Sequence, residues 1–247
     1  MKTLFIGDIH GIDTWKQPVA QALAIQANVV FVGDYVDAFD IKPHEIMENL
    51  NDIIKIKKAY PAKITLLIGN HDYAYVFGKR AITGFNHYME VDYRSIFNDN
   101  WKLFDLAWGF QGKDKYTLVT HAGLTWWFYK EIEETIKTTG TTMHDILVKN
   151  LDVPWKELQL HELLNYFKDQ THIAWKIGRE RGGLDPTGGI LWADKYELMK
   201  FHYKGINQIV GHTPGKYIEI CNVDEDQIMF IDAHLNKQLY PIMVDLI

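Results

Sequence analysis

Five short polar motifs follow one another along the chain, each placed directly after an apolar run. They are Gly7-Asp8-Ile9-His10-Gly11, Gly33-Asp34-Tyr35-Val36-Asp37, Gly69-Asn70-His71-Asp72, Thr120-His121-Ala122-Gly123 and Gly211-His212-Thr213. Four of the runs in front of them, Thr3–Ile6, Val29–Val32, Ile64–Ile68 and Tyr116–Val119, are short, continuous and rich in β-branched residues. Runs of that length and kind read as strands buried on both faces. Between the first three lie stretches with helical spacing, Trp15–Ile25 and Pro43–Ala59; the second opens on Pro43 and closes on Lys57 and Lys58 just before Pro61. A β-α-β-α-β order implies a largely parallel sheet whose polar motifs sit in the loops at the carboxyl ends of the strands.

The C-terminal fifth has a different rhythm. Gln208–Val210, Tyr217–Cys221, Gln227–Ile231 and Gln238–Val244 read as strands joined by short turns such as Asn222–Asp226, an antiparallel meander that can form a second sheet packed on the first. Two long segments, about 73–115 and 126–189, are helical in character and unusually aromatic, with Trp126-Trp127-Phe128-Tyr129 the densest cluster. Both follow polar motifs, so they are expected to form a cap or walls over a site, or a helical subdomain with its own aromatic core. The fold class expected is α/β: a single domain over 1–247, with two β-sheets packed face to face (a mixed sheet and the meander), flanking helices and two cap-like insertions.

At 247 residues, 47% of them hydrophobic, the chain can bury a substantial core. A net charge of −6 with no basic run longer than Lys55-Ile56-Lys57-Lys58 argues against a nucleic-acid partner. The single cysteine, Cys221, excludes an intramolecular disulfide and a cysteine-rich zinc site; its strand-like surroundings predict a small buried hydrophobe. The opening apolar run stops at Asp8 and no run approaches a bilayer-spanning length, so a cytoplasmic protein with no membrane partner is expected.

Asp8, His10, Asp34, Asn70, His121 and His212 supply carboxylates, imidazoles and an amide oxygen. Asp8 and His10 lie two residues apart, which on an extended segment points both side chains the same way. Asp34, Asn70 and His121 each fall just past a strand of what reads as one sheet, and His212 past a strand of the other. Mixed oxygen and nitrogen donors suit Mn²⁺, with Fe or Zn²⁺ as further candidates. Six ligands exceed what one structural zinc uses but suit two divalent ions sharing a carboxylate, an arrangement that activates a bridging water and clamps a phosphoryl group. The departing oxygen then needs a proton; His71 is placed to give it, and Asp37 to hold that imidazole. Asp72 reads as a loop-capping residue; His234, in Ile231-Asp232-Ala233-His234, follows a strand and reads as a turn residue first and as a residue that approaches the site second.

The five motifs resemble those of the calcineurin-like metallophosphoesterases, in the branch that contains the phosphoprotein phosphatases and their bacterial and phage relatives. Ile190-Leu191-Trp192-Ala193-Asp194 is similar to the Leu-Leu-Trp-Ser-Asp stretch of the protein phosphatases, and Ile209–Pro214 resembles the phage and bacterial form of the last motif. The resemblance implies that Asp8 and His10 hold one metal, that Asp34 bridges, and that Asn70, His121 and His212 hold the second. It also implies that His71 and Asp37 form the general-acid pair and that a metal-bridging hydroxide attacks the phosphoester. One departure stands out: the protein phosphatases carry Gly-Asp-x-Val-Asp-Arg-Gly, whereas Ala38 and Phe39 follow Asp37 here. The phosphate-gripping guanidinium is missing at that position. Arg179, Arg181 and Arg80 are the candidates to replace it.

Three functions compete on this reading. The first is a phosphatase of the Ser/Thr protein phosphatase type, acting on a phosphorylated protein. The second is a nucleotide phosphohydrolase similar to the symmetrical diadenosine tetraphosphatases, with the aromatic insertions stacking a base. The third is a non-catalytic protein-binding scaffold.

Overall fold

The computed structural model describes residues 2–138, 159–235 and 238–245; the part of the second aromatic segment at 139–158 lies outside the described residues. The apolar runs become strands at the expected places. β1 (Lys2–Ile6), β2 (Asn28–Phe31) and β3 (Ile64–Leu67) are mutually parallel, and β2 lies between the other two. The crossovers are α1 (Lys16–Ala24) and α2 (Pro43–Ala59), the latter with Pro43 in its first turn and Lys57 and Lys58 in its last. β4 (Phe104–Asp105) extends this sheet beside β3.

The second sheet runs β5 (Ala107–Gln111), β6 (Tyr116–Thr120), β7 (Asn207–Val210), β9 (Asp226–Phe230), β8 (Glu219–Val223). It differs from the expected meander. β7 pairs parallel to both β6 and β9, and within the C-terminal group only the β8–β9 hairpin of this sheet is antiparallel. The last apolar run is broken at Tyr240 and Pro241. Its first part, β11 (Gln238–Leu239), pairs with the short β10 (His234–Leu235), and its second, β12 (Ile242–Asp245), returns to the first sheet antiparallel to β1. The segment 73–115 contains strands of both sheets, so it is part of the body of the fold as well as a wall. Cys221 sits half-buried on edge strand β8 rather than in the core.

Alternation along the strands separates two apolar layers. Phe5, Val30, Val32 and Leu67 point from the first sheet into the second, where Val119, Ile209 and Ile231 meet them. Their neighbours Leu4, Ile6, Val29, Phe31 and Leu66 point the other way, onto Trp15, Val19 and Ala22 of α1 and Ile46, Leu50 and Ile53 of α2. Buried on both faces, these strands carry apolar residues toward both layers, which is why the sequence shows runs rather than alternation. The consequence for function is directional. The first sheet contains four parallel strands, β1-β2-β3-β4, and the second three, β6-β7-β9, and the polar motifs follow the carboxyl ends of β1, β2, β3, β6 and β7.

At the opposite end of the second sheet, the buried Asp226 joins three segments. Lys115 Nζ lies 2.6 Å from its Oδ1, Gly205 N–H donates to Oδ2 at 2.8 Å, and His202 Nε2 lies 3.3 Å from the same oxygen. Burial pushes the Asp226 carboxyl up, but the Lys115 and Gly205 hydrogen bonds outweigh it and hold the group below the usual carboxylate range. A carboxyl depressed on folding contributes stability that is complete above its unfolded value, near pH 4, and that is lost as the pH falls through the folded value. Lys115→Met is therefore expected to cost roughly 1.5–3 kcal/mol at neutral pH, the range for hydrogen bonds to charged groups. In paired thermal melts from pH 7 to pH 2, the gap to the parent should close below about pH 4. A gap independent of pH would contradict this account of Asp226.

Candidate metal centre

The loops after β1, β2, β3, β6 and β7 meet at one end of the sandwich, and their backbones are tied to one another before any ligand is considered. Ile9 and His10 N–H both donate to the Asp34 carbonyl, and Gly11 N–H donates to that of Tyr35. Asp72, as expected of a loop cap, accepts from Gly69 N–H at 2.9 Å and from Tyr35 N–H at 2.8 Å, joining the second motif to the third. Gly211 N–H donates to the His121 carbonyl, and His212 N–H reaches the Asp8 carboxylate at about 3.0 Å, joining the second sheet's loops to the first's. Several of these residues are held in the left-handed region: φ is 41° at His10, 50° at Asp34, 65° at Asp37 and 66° at His212. These are four of the six non-glycine positive φ values among the described residues. Asp and His tolerate that region better than most, and its concentration at one site is typical of functional loops.

Two ligand groups result, Asp8–His10–Asp34 and Asp34–His121–His212; in each, one donor atom per residue lies within 4.8 Å of the others. Asp34 belongs to both. His10 Nδ1 is 2.9 Å from the Val36 and Asp37 carbonyls and His121 Nδ1 is 2.9 Å from that of Val32. A ring nitrogen facing a carbonyl must donate, so in the neutral ring Nε2 is left bare, as a metal ligand requires. His121 Nε2 then faces Asn70 Oδ1 at 2.8 Å, His212 Nδ1 at 3.1 Å and Asp34 Oδ2 at 3.4 Å. Such a convergence on one buried ring nitrogen is satisfied by a proton on that nitrogen or by a bound cation. His212 Nε2 is buried with no hydrogen-bond partner among the described residues, while Nδ1 is the nitrogen that faces His121. The donor set fits a pair of divalent ions: one at Asp8, His10 and Asp34, the other at Asp34, Asn70, His121 and His212.

The protonation equilibria point the same way. Burial favours a neutral Asp34, but His121 and then His71 pull its carboxyl far below the usual range. Burial opposes charge on His121, yet Asp34 and then Asp8 hold it up at about 9, so a proton occupies the cluster when no metal does. Burial first, and His121 second, push His212 well below the ordinary imidazole value. Burial and the neighbouring Asp232 push Asp8 up, as expected of a buried carboxylate crowded by other acids.

Beside the ligands, His71 Nδ1 donates to Asp37 Oδ2 at 2.9 Å, and its ring stands edge-on to His10 with centroids 5.2 Å apart. Burial opposes its charge, but Asp34 and the Asp37 hydrogen bond hold His71 up at about 9. Sequence reasoning did not find the group behind this pair. Tyr75 Oη donates to Asp37 Oδ1 at 2.5 Å while accepting from Asn86 N–H at 2.7 Å, and its ring stacks on Phe85 at 4.3 Å. A tyrosine five positions beyond Asn70 carries no sequence signal that separates it from a core aromatic.

Asp8, His10, Asp34, Asn70, His71, Asp37 and His212 line a single cavity of about 790 Å³, with His121 fully buried beneath. Arg181 lines it too, with Nη2 donating to Thr213 Oγ1 at 2.8 Å and Nε 2.9 Å from Asp194 Oδ2. The other two arginines are elsewhere. Arg179 is exposed and does not line the cavity, and Arg80 is paired with Glu90 at 2.9 Å. Trp192, Asp232 and His234 also face the cavity; the sequence reading treats His234 as a turn residue first and a site neighbour second, and gives Asp232 no role.

The family model for calcineurin-like phosphoesterases matches residues 1–216. The chain belongs to that family. The family is one of phosphoesterases, and it implies divalent metal ions. Among curated proteins, the Serine/threonine-protein phosphatase 6 catalytic subunit of Drosophila melanogaster is 30% identical over 126 residues, covering 48% of this chain and 38% of that protein. The chain thus matches less than half the length of this relative. Among solved structures, a protein serine/threonine phosphatase from Saccharomyces cerevisiae with similarity to human phosphatase PP5 is similar over 94% of this chain and 69% of its own, at 14% identity and a TM-score of 0.49.

Gly69 and Gly211 are where the loops approach most closely. A Cβ on Gly69 would lie 2.1 Å from Asp34 Oδ1 and 2.4 Å from Asp34 N, and one on Gly211 would lie 2.1 Å from Asp8 Oδ1. Gly69→Ala and Gly211→Ala are each expected to cost about 1–3 kcal/mol, as overpacking does. Both should also weaken Mn²⁺ binding measured by titration calorimetry. Parent-like melting and parent-like Mn²⁺ affinity would show that the loops do not set the ligand geometry.

Proposed function

We propose that this chain is a dinuclear-metal-dependent phosphatase that hydrolyses phosphomonoesters, with phosphoserine and phosphothreonine side chains of proteins as its substrate class. The observation that carries the reading is the pair of ligand groups sharing Asp34, with the His71–Asp37 pair beside them in the same cavity. The name of the Drosophila relative supports the substrate class. Mn²⁺ is the metal pair proposed, on the mixed oxygen and nitrogen donors, and a cytoplasmic location and the phage and bacterial branch are proposed on the sequence motifs.

When bound, two such ions lower the pKa of a shared water toward about 7 and withdraw charge from the phosphoryl oxygens. The protein's own groups do the rest. As a water oxygen bonds to phosphorus and the ester P–O bond breaks, the departing oxygen takes the proton from His71 Nε2. Asp37 holds Nδ1 and stabilises the imidazolium beforehand, and Tyr75 fixes the other carboxylate oxygen of Asp37. Arg181, held by Thr213 and Asp194, supplies a guanidinium for the phosphoryl oxygens in place of the one absent after Asp37.

The nucleotide reading depends on aromatics free to stack a base. Tyr73 stacks on Trp175 at 5.8 Å and meets Trp101 edge-on, and Tyr129 packs on Tyr203. Among the described residues, no aromatic of the insertions lines the cavity; Phe39, 85% exposed at its rim, and Trp192 are the two that do, apart from the histidines. That arrangement favours the phosphatase reading.

The test separates proton donation from binding. Against a phosphoserine peptide, whose alkoxide is a poor leaving group, His71→Asn should lower kcat by roughly 10²–10⁴-fold, the usual contribution of a general acid. Against 4-nitrophenyl phosphate, whose leaving group needs no proton, the loss should be much smaller, and Asp34→Asn should abolish turnover of both. Equal losses of His71→Asn on the two substrates would remove His71 from the general-acid role. A preference for nucleotide anhydrides over the peptide would move the substrate class to the nucleotides.

A further inference from the structure

The Thr213-Pro214-Gly215 turn that follows His212 has a basic side chain on either side. Arg181 reaches it through Thr213. From the other side, Gly215 forms an isolated β-bridge with Ala233, and Gly215 N–H donates to the Asp232 carbonyl at 2.8 Å. Tyr240 N–H donates to the Ala233 carbonyl at 3.1 Å, so the backbone just before His234 is tied on both sides.

His234 lines the same cavity as Asp8, His10 and Asp34. Its Nδ1 lies 3.3 Å from Oδ1 of Asp232, a carboxylate that is only 4% exposed. With Nδ1 turned to Asp232, Nε2 is the ring nitrogen left for the cavity. No metal-ligand or general-acid role uses this ring. The Asp232 hydrogen bond holds its imidazole above the ordinary value against the pull of burial, and Asp40, also on the cavity wall, adds to the effect.

The charge around the substrate makes such a group useful. Five carboxylates line the cavity, at Asp8, Asp34, Asp37, Asp40 and Asp232. Setting aside the metal ligands and His71, its basic lining side chains among the described residues are Arg181 and His234. The chain has Ala38 and Phe39 where the related phosphatases place a phosphate-gripping arginine.

We propose that His234, oriented by Asp232, binds a non-bridging oxygen of the substrate's phosphoryl group through Nε2–H and shares the grip on phosphate with Arg181. The assignment rests on the phosphoesterase reading of the same cavity and adds a substrate-binding residue to it. Asp232 acts through the imidazole, as a positioning residue.

The experiment uses the full chain loaded with Mn²⁺ and two readouts: KM and kcat for 4-nitrophenyl phosphate, and the Kd of inorganic phosphate by titration calorimetry. His234→Gln is expected to raise both KM and Kd roughly tenfold, as loss of a charge-assisted hydrogen bond does, with kcat within about threefold of the parent. His234→Arg, which restores a cation, should bring both back toward the parent values, and Asp232→Asn should raise KM with little change in kcat. Unchanged KM and Kd in His234→Gln, or a loss confined to kcat, would overturn the proposal while leaving the phosphoesterase reading intact. If the parent itself hydrolyses no phosphoester, that reading fails, and the phosphate Kd still decides His234: a tenfold loss supports an anion-binding imidazole and an unchanged value refutes it.

Discussion

Asp34 carries more of the site than any other residue. Its backbone is left-handed, its carbonyl accepts the N–H groups of Ile9 and His10, and its Oδ1 accepts from His71 N–H at 2.9 Å. The other oxygen lies 3.4 Å from His121 Nε2 and 3.8 Å from His10 Nε2. A fully buried carboxylate is costly unless opposed by charge, and here imidazoles from three loops oppose it. Both ligand groups contain this one side chain, so the relative placement of the two groups, the position of His71 and the approach of the two sheets are set together.

That convergence follows from chain direction. Parallel strands put all their carboxyl ends on one side, and both sheets contribute such ends. The first sheet delivers acids, an amide, His10 and His71; the second delivers His121, His212 and the Asp232–His234 pair. The apolar layer of Phe5, Val30, Val32, Leu67, Val119, Ile209 and Ile231 sits between the sheets and fixes how far apart these two sets of ends stand. Left-handed backbone at four site residues costs about 1–3 kcal/mol at each position, and this layer and the loop hydrogen bonds are what offset it.

Much of this was legible in the sequence because metal chemistry restricts residue types and buried parallel strands restrict composition. The strand ends carrying Asp8, Asp34, Asn70, His121 and His212 could be located within a residue or two, and the structure brings those side chains together. What strand composition does not encode is which strand lies beside which. A run buried on both faces looks the same in either sheet, so His121 reads as following a strand of the first sheet when β6 belongs to the second. The last run reads as one strand, yet it breaks at Tyr240 and Pro241, and its second half returns to β1 across almost the whole chain. Tyr75 and Asp232 were illegible for another reason: each meets its partner across more than thirty residues or through a turn whose path depends on the fold. His234 read as a turn residue first and a site neighbour second until the fold placed it on the cavity wall. Arg80 and Arg181 look alike in sequence, and only the partners, Glu90 for one and Thr213 with Asp194 for the other, separate a wall-facing arginine from a surface one.

The central claim is that Asp34 lies between two divalent ions, held from one side by Asp8 and His10 and from the other by Asn70, His121 and His212. Crystals of the Mn²⁺-loaded protein measured on both sides of the manganese absorption edge test it directly. Two anomalous peaks, one on either side of the Asp34 carboxylate and each within about 2.0–2.3 Å of its histidine nitrogens, are the result predicted. A single peak, or peaks that do not share Asp34, would contradict it.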